Sequence, residues 1–483
     1  MAQPDGPPPP PPLCRELWGP HEAARYRGDP RGGLDRFVPP GAYSGSGLRR
    51  AAAQVLLPQG YPESVSPDYL QYQCWDGLQA LCSTLTGALA TRAVLQAVGV
   101  GDGAATVTGA TLTWVLRDGV GIVTRITFAW VQGSRLDCEA KQWRLAADVI
   151  NDAALALELL APAWPRAGPA LLTLAAAAKC VVGVAGGATR AALAVHQARR
   201  DNMADVAAKD SSQETLVNGA GLLLALLLLP LLDGRPWVTG ALVALLVGTH
   251  LGANAAAVGA LRLPTLNRPR LRLAVGGALR GGASAGGGAS AGTRPQGEGL
   301  GQGVVTVPGP EEVNPREPLL PGFSTRLTLH LGAPLHRLVH SEAEFTKALE
   351  CGTPDYLIVL RPSRGWVGVG LRRGSPPVTP LLACAHALLL EELLLGPDVP
   401  PGAPMGAALR PLQRRLRRCP PGSVPWAAIA ESSRLWRALG PAFLRGLTAA
   451  GWETQRHLLA PDEWQLDWAG PGGGASEEKP RPQ

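Results

Sequence analysis

The sequence predicts a mainly α protein, a polytopic helical membrane core followed by a small C-terminal α+β domain. Two adjacent apolar runs predict the core. LVNGAGLLLALLLLPLL (216–232) carries no charge, and WVTGALVALLVGTHLGANAAAVGAL (237–261) carries none beyond His250. Short apolar strands alternating with helical stretches after residue 320 predict the C-terminal domain. At 1.5 Å per residue the two runs reach about 26 Å and about 37 Å, against a hydrocarbon core of about 30 Å. Asp233-Gly234-Arg235-Pro236 between them is a turn by composition. The pair fits a helical hairpin through a lipid bilayer; a soluble adaptor burying the same hairpin is the alternative.

Flanking cations set the orientation. Arg262, Arg268, Arg270, Arg272, Arg280 and Arg294 follow the hairpin without an acid, and Arg199, Arg200 and Lys209 precede it, while its tip has only Arg235. Both outer flanks are therefore expected in the cytosol. Upstream, 78–98, 104–131 and 171–195 are helical but interrupted by charges such as Arg117, Asp118, Arg125, Lys179 and Arg190. Each charge inside a span costs about 2.5–3.5 kcal/mol, so bundle-interior or surface helices are equally compatible. Residues 143–160 are amphipathic, with Trp143, Ile150 and Leu157 at helical spacing.

The remaining chain divides by composition. Residues 1–60 are Pro/Gly-rich, opening on a polyproline run, and are expected to be disordered. The helical core covers 61–272, a Gly/Ala/Ser-rich flexible linker 273–320, the α+β domain 321–468 and a polar tail 469–483. In the α+β domain RLTLHL (326–331), YLIVL (356–360) and WVGVGL (366–371) are predicted strands. Residues 341–350, 379–395 and about 426–450 are predicted helices.

Composition narrows the function classes. Charged residues make up 17% of the 483, below the roughly 25% of ordinary soluble proteins, which leans away from a soluble enzyme. The net charge of +7 comes from forty arginines and five lysines spread along the chain, so no nucleic-acid partner is expected. Eight cysteines without a C-x-x-C pair, and no glycosylation sequon, fit a reducing, cytosol-facing protein without zinc modules. The polar N-terminus predicts no cleaved secretory signal.

Candidate sites are few. Ser211 and Glu214 have the spacing of a capping box opening the helix at 216. The same helix end, with Arg199, Arg200, Lys209, Ser211 and Ser212 around it, is a candidate anion site. Gly240, Ala244, Gly248, Gly252, Ala256 and Ala260 recur every fourth residue, a stripe that admits a close helix partner, within the chain, in a second copy or in another membrane protein. His250 and Asn254, at i,i+4, fit an interhelical hydrogen bond better than an ion path. Arg117-Asp118-Gly119-Val120-Gly121 is a weak dinucleotide match, and the two GASAG strings at 282–286 and 288–292 lack the strand and helix of a nucleophile elbow. His336 and His340 lack a third metal ligand, and Arg414, Arg415, Arg417 and Arg418 fit a solvated helix face. No catalytic residue, metal site or cofactor is assigned. An enzyme with an unrecognised site around Arg117, Asp118 and 196–214 remains the rival class.

Four strings carry a resemblance: YPESVSPDYLQYQCWDGLQAL (61–81), LDCEAKQWRLAADVINDAAL (136–155), KCVVGVAGGATRAALAVHQARRDNMADVAAKDSSQETLVN (179–218) and AGWETQRHLLAPDEWQLDW (450–468). They resemble the root UV-B sensitive (RUS) family, most of all its vertebrate branch. The first three fall in the family's core domain, about 50–270, and the last in its C-terminal region. Thr124-Arg125 departs from a Gly-Arg pair common in the family. The resemblance implies a helical, membrane-associated core and carries no established reaction. In plants the family is linked to ultraviolet-B tolerance, seedling development, auxin transport and vitamin B6 homeostasis. The joint expectation is a non-enzymatic scaffold or small-molecule handling protein, with a vitamin B6-related anion as the ligand class that family analogy suggests. The expected location is an intracellular membrane, the endoplasmic reticulum first.

Overall fold

The computed structural model describes residues 12–18, 21–29, 32–38, 52–99, 107–281, 305–320, 327–400 and 406–468. The polyproline start, both GASAG strings and the tail after 468 lie outside the described residues. The described chain forms two compact units. The first contains residues 1–113, 155–175 and 190–257, and the second 114–154, 176–189 and 258–483.

Six long helices follow one another: α1 (Tyr69–Ala97), α2 (Val107–Gln132), α3 (Ala140–Leu160), α4 (Gly168–Gln197), α5 (Met203–Leu231) and α6 (Pro236–Ala260). Among the described residues α1, α4, α5 and α6 are long and apolar enough to cross a membrane. Periodicity located α2, α3, α4 and α6 within three residues at each end, while α1 starts at Tyr69, nine residues ahead of the expected 78. The largest error is the start of α5, which begins at Met203 after Asn202, not near 216. Asp205 in the first turn and the alanines behind it carry the helix through residues already competent to be helical. The turn to α6 is as expected: Gly234 takes φ +69°, and Pro236 opens α6, where a missing N–H costs nothing.

In the first unit α1 packs along α5. Cys82 and Leu85 meet Ala225, with Leu246 and Leu242 from α6 completing the cluster. Gly221 allows the close approach, because a Cβ there would lie 2.9 Å from Thr84 Cγ2. At one end of α1, Val65 and Tyr69 pack with Ala194 and Val206; at the other, Val94 packs with Ala161 and Leu172. The outward faces remain apolar: Leu223, Leu226 and Leu227 of α5 are each about two-thirds exposed.

Three strands occur between residues 14 and 37, within the stretch expected to be disordered. β1 (Cys14–Trp18), β2 (His21–Gly28) and β3 (Leu34–Phe37) form an antiparallel sheet, with Cys14 opposite Tyr26 and Arg25 opposite Phe37. They contain almost no β-branched residues, so the strand signal was weak.

In the second unit, helices occupy both ends of the stretch expected to be a linker. α7 (Arg268–Leu279) runs into the first residues of the expected 273–320 linker and α8 (Pro310–Val313) lies near its other end, while residues 282–304 of it are outside the described residues. Leu271, Ala274, Val275 and Ala278 form the buried stripe of α7, and Val307 and Val313 join the same core. The unit also begins before residue 273, since β4 (Thr265–Asn267) pairs with β8 (Glu453–Leu458). β5 (Thr328–Leu331), β7 (Trp366–Arg372) and β6 (Tyr356–Arg361) make the second sheet, and β9 (Gln465–Leu466) also pairs with β7. α9 (Leu335–Leu338) and α10 (Glu342–Cys351) cover one side of this sheet. α11 (Thr379–Leu395), with α12 (Gly406–Arg417) and α13 (Trp426–Ala449), builds the larger core. The predicted strands and helices of this region are all present within two residues of their expected limits.

Candidate functional site

The entry to α5 gathers the polar groups of the first unit. α4 ends at Gln197, and residues 198–202 turn the chain into α5 beside the 58–66 loop. Val65 bridges Ala198, Ser66 N–H donates to Gln197 O (2.9 Å), and Arg199 N–H donates to Ser64 O (3.1 Å). The two loops thus form one wall. A cavity of about 1050 Å³ opens there, lined by Gln59, Gly60, Arg200, Asn202, Asp205 and Lys209 among others. Arg200 and Lys209, two of the sequence candidates, therefore face one space. Arg199 is exposed and contributes its backbone to the wall.

Ser211 and Ser212 require a correction. They sit two turns inside α5, so neither caps a helix end. Ser212 Oγ donates to Ala208 O (2.9 Å), and Ser211 O accepts from Thr215 Oγ1 (2.8 Å). Hydroxyls turned back on the preceding helical carbonyl are the usual fate of serine within a helix. The capping-box spacing is met without its geometry, and the helix end that could attract an anion lies at Asn202–Asp205.

A second polar cluster runs between α1, α4 and α5, and sequence reasoning missed it. His196 Nε2 lies 3.0 Å from Asp68 Oδ2, and Ser66 Oγ donates to Asp68. Arg190 pairs with Asp210 and with Glu214 (2.5 Å), and Gln73 Nε2 donates to Asp210 Oδ1 (3.1 Å). Tyr72 Oη lies 3.4 Å from Asp76. The available signal was polar residues recurring at helical spacing within otherwise apolar segments, which in a bilayer marks groups that must face one another. Each charge here has an opposite partner or a hydrogen bond, so the cluster can hold these helices in register.

The small-residue stripe lies on α6 as predicted, but no helix of the described chain covers it. Gly240, Ala244, Gly248 and Gly252 are exposed, Ala256 is half-buried and Ala260 buried. A Cβ at Gly240, Gly248 or Gly252 would meet nothing within 4 Å. His250 and Asn254 are buried on the opposite side of the helix. Arg117 stacks 4.7 Å over the Trp114 ring on α2, and Gly119 lies in the middle of that helix rather than after a strand.

Two buried polar centres belong to the second unit. His386 lies between Tyr356 Oη and Ser432 Oγ, each at 3.0 Å, and stacks on Trp436. Burial holds its pKa down at about 3 and pushes the Tyr356 phenol up, so the imidazole stays neutral. Fully enclosed, with Ser432 also donating to Ile429 O (2.8 Å), this Ser–His pair is a core hydrogen-bond set that no substrate reaches. In the other centre, Arg270 Nε meets both Glu317 oxygens at 3.1 Å, and Lys141 Nζ lies 3.3 Å from Glu317 Oε2. Asn267 Nδ2 donates to Glu317 Oε1 (2.7 Å). Burial alone pushes the Glu317 pKa up, but Arg270 and Lys141 outweigh it and hold the carboxyl below its ordinary value. His336 and His340 are exposed near α9, and among the described residues no group of three potential ligands is placed to hold a metal.

Comparison with known proteins places these features in a family. Residues 44–281 match the model of a vitamin B6 photo-protection and homoeostasis domain, and residues 306–468 that of the root UVB sensitive protein C-terminal region. Protein root UVB sensitive 3 of Arabidopsis thaliana is 35% identical over 439 residues, 87% of this chain and 86% of that protein. RUS family member 1 of Dictyostelium discoideum is 46% identical over 231 residues, 47% of this chain and 44% of that protein. Protein root UVB sensitive 2, chloroplastic, of Arabidopsis thaliana is 32% identical over 231 residues, 47% of this chain and 52% of that protein. The last two matches thus span about half of each relative's length. No solved structure matches. The chain belongs to the root UV-B sensitive (RUS) family.

Proposed function

We propose that the chain is an integral membrane protein that handles a small anionic metabolite without transforming it, with vitamin B6 phosphates the first class to test. The observation that carries the membrane reading is the outward face of α5. Leu222, Leu223, Leu226, Leu227 and Leu231 are each more than half exposed, on a helix long enough to cross a bilayer. Leucines in such a continuous band are costly in water and at no cost in lipid. The small-molecule reading is supported by the cavity at the α5 entry and by the domain description shared with the family.

Lipid is then the first partner, and the open glycine stripe of α6 suits a helix of a second copy or of another membrane protein. An intracellular membrane is the proposed location, with the endoplasmic reticulum tested first by fractionation. Alkaline carbonate extraction of cell membranes tests the core of the reading. Retention in the pellet is expected; release into the supernatant returns the chain to the soluble-adaptor class. A ligand screen on detergent-purified protein, with turnover followed in parallel, is expected to give binding without product. Product formation would make the protein an enzyme.

A further inference from the structure

We propose that α12 and α13 of the second unit form a basic surface that docks on the anionic lipid headgroups of the leaflet carrying the chain. The proposal goes beyond the small-anion reading, and it rests on the membrane reading only for the presence of that leaflet.

Cations are spread along the chain, but acids are not. Residues 399–452 contain eight arginines and a single acid, Glu431, so this stretch alone carries the +7 of the whole chain. The fold turns that surplus outward. Leu409, Leu412 and Leu416 bury the inner face of α12, and Ile429, Leu439 and Leu447 that of α13. Arg414, Arg415, Arg417 and Arg418 are exposed on and just after α12, and Arg434, Arg437 and Arg445 are exposed on α13. Arg415 pairs with Glu431 at 2.5 Å across the two helices, so their outer faces adjoin as one surface. A cavity of about 670 Å³ lies at this seam, with Arg414, Arg415 and Arg418 on one side and Trp426 and Ala427 on the other.

Little within the described chain offsets this charge. Glu431 is engaged by Arg415, and Asp398 pairs with Arg417 at 2.5 Å. Arg414, Arg418, Arg434 and Arg437 make no ion pair with any described residue. Like charges gathered on one face repel each other, and a negative surface laid against them relieves that cost.

The relief of the surface selects the occupant. Ala438 and Pro441 lie exposed among the α13 arginines, and Ala407 and Pro411 among those of α12. Among the described residues no large apolar side chain is exposed between 396 and 463. Protein partners centre on aromatic or aliphatic anchors, and single-stranded nucleic acids stack on aromatic rings. Neither is offered here. Long guanidinium arms standing above small residues suit a flat, repeating array of phosphates, which their forked donors bind in pairs. The cytosolic leaflet is such an array and has a negative surface potential. It is close at hand, because the same compact unit contains residues 114–154, the end of α2 and the start of α3. Flanking cations predict the cytosolic side for the turn between those helices.

A fluorophore on Ala438→Cys, in a cysteine-free full chain reconstituted in nanodiscs, reads the contact through quenching by nitroxide-labelled headgroups. Nanodiscs of phosphatidylcholine are compared with and without phosphatidylserine. Quenching is expected only with phosphatidylserine, and it should vanish in high salt, which screens exposed charges. Arg434→Gln and Arg437→Gln should each lower the ratio of docked to undocked chain about fivefold, and Arg434→Lys should keep most of it. Thermal melts identify any variant that fails to fold. Equal quenching in neutral discs, or quenching that the double glutamine variant leaves unchanged, overturns the proposal. Quenching only by nitroxide in added vesicles overturns it in favour of a facing membrane. Saturable binding of an RNA duplex without phosphatidylserine-dependent quenching overturns it in favour of nucleic acid. A carbonate-resistant chain that ignores phosphatidylserine would remove this surface and keep the membrane reading. A carbonate-extracted chain that floats with phosphatidylserine vesicles through Arg434 and Arg437 would do the reverse.

Discussion

Glu317 is the residue on which the second unit's buried charges depend. It is the carboxylate between Arg270 and Lys141, all three being almost fully enclosed. Glu317→Gln would leave two cations buried without that counter-charge, and a loss of about 3–5 kcal/mol is expected. Chemical denaturation followed by tryptophan fluorescence in detergent checks it. The pH dependence has a definite sign. Glu317 titrates below its ordinary 4.5 in the folded chain, so the unfolded chain binds the proton first as pH falls. Its contribution is complete above the unfolded value and is lost as pH drops through the depressed folded one. Native protein should therefore lose stability steeply below about pH 4.5. The glutamine variant should start lower and fall less; parallel curves would place the stabilisation elsewhere. Nothing in the local sequence exposed this centre, because its members lie at 141, 267, 270 and 317 and only tertiary packing brings them together.

Helices differ in how far their glycines are committed to packing, and two of them make opposite predictions. At Gly221 a new side chain meets Thr84 and Leu81, and it also threatens the Thr84 Oγ1 to Asn218 Oδ1 hydrogen bond of 2.8 Å. Gly221→Leu should separate α1 from α5 and cost about 1–3 kcal/mol, read as a lower melting temperature. Gly248→Leu and Gly252→Leu add bulk to open space, so melting should hold while any self-association weakens. Light scattering after size-exclusion chromatography reads the mass; an unchanged mass removes the packing role of the stripe. The same contrast explains what was legible. Four-residue spacing of small residues is visible in sequence, but whether a helix of the same chain covers it is not. Ser211 and Glu214 likewise have capping spacing, and only the continuity of α5 from Asn202 shows that Ser211 lies inside the helix, beside a Ser212 hydroxyl that turns back on Ala208 O. The β5–β7 region was legible because apolar strands bounded by turn residues admit few alternatives, whereas β1–β3 lack that pattern.

For the whole molecule, the ends of α3 and α4 decide how many helices cross the membrane. The turn after α3 packs at Ala161 with Leu172, near the start of α4, and with Val94 near the end of α1. The start of α3, at Trp143 and Ala147, packs with Val182 and Ala185 farther along α4, together with Phe128 from α2. α3 therefore runs antiparallel to α4. The chain leaves α1 at the end of α4 where α3 finishes, and it must reach the end where α3 begins. The segment that makes that passage is α2, whose 26 residues reach about 39 Å, enough to cross. If α4 spans the bilayer, α2 and α3 span it as well, and the crossings number six. Composition pointed to four because α2 carries Arg117, Asp118 and Arg125, and α3 places Asp152 and Glu158 inward, which a hydropathy window counts against a span. Flanking cations predict a cytosolic side for the 198–202 loop and the stretch after 261, and with them for the α2–α3 turn. Single cysteines at Gly133, Ala198 and Arg262 in a cysteine-free background should then react with an impermeant maleimide only after the cytosolic face is opened. Cysteines at Trp164 and Gly234 should react only from the opposite face. Labelling of Gly133 and Trp164 from the same side would return α3 to the membrane surface and reduce the crossings to four.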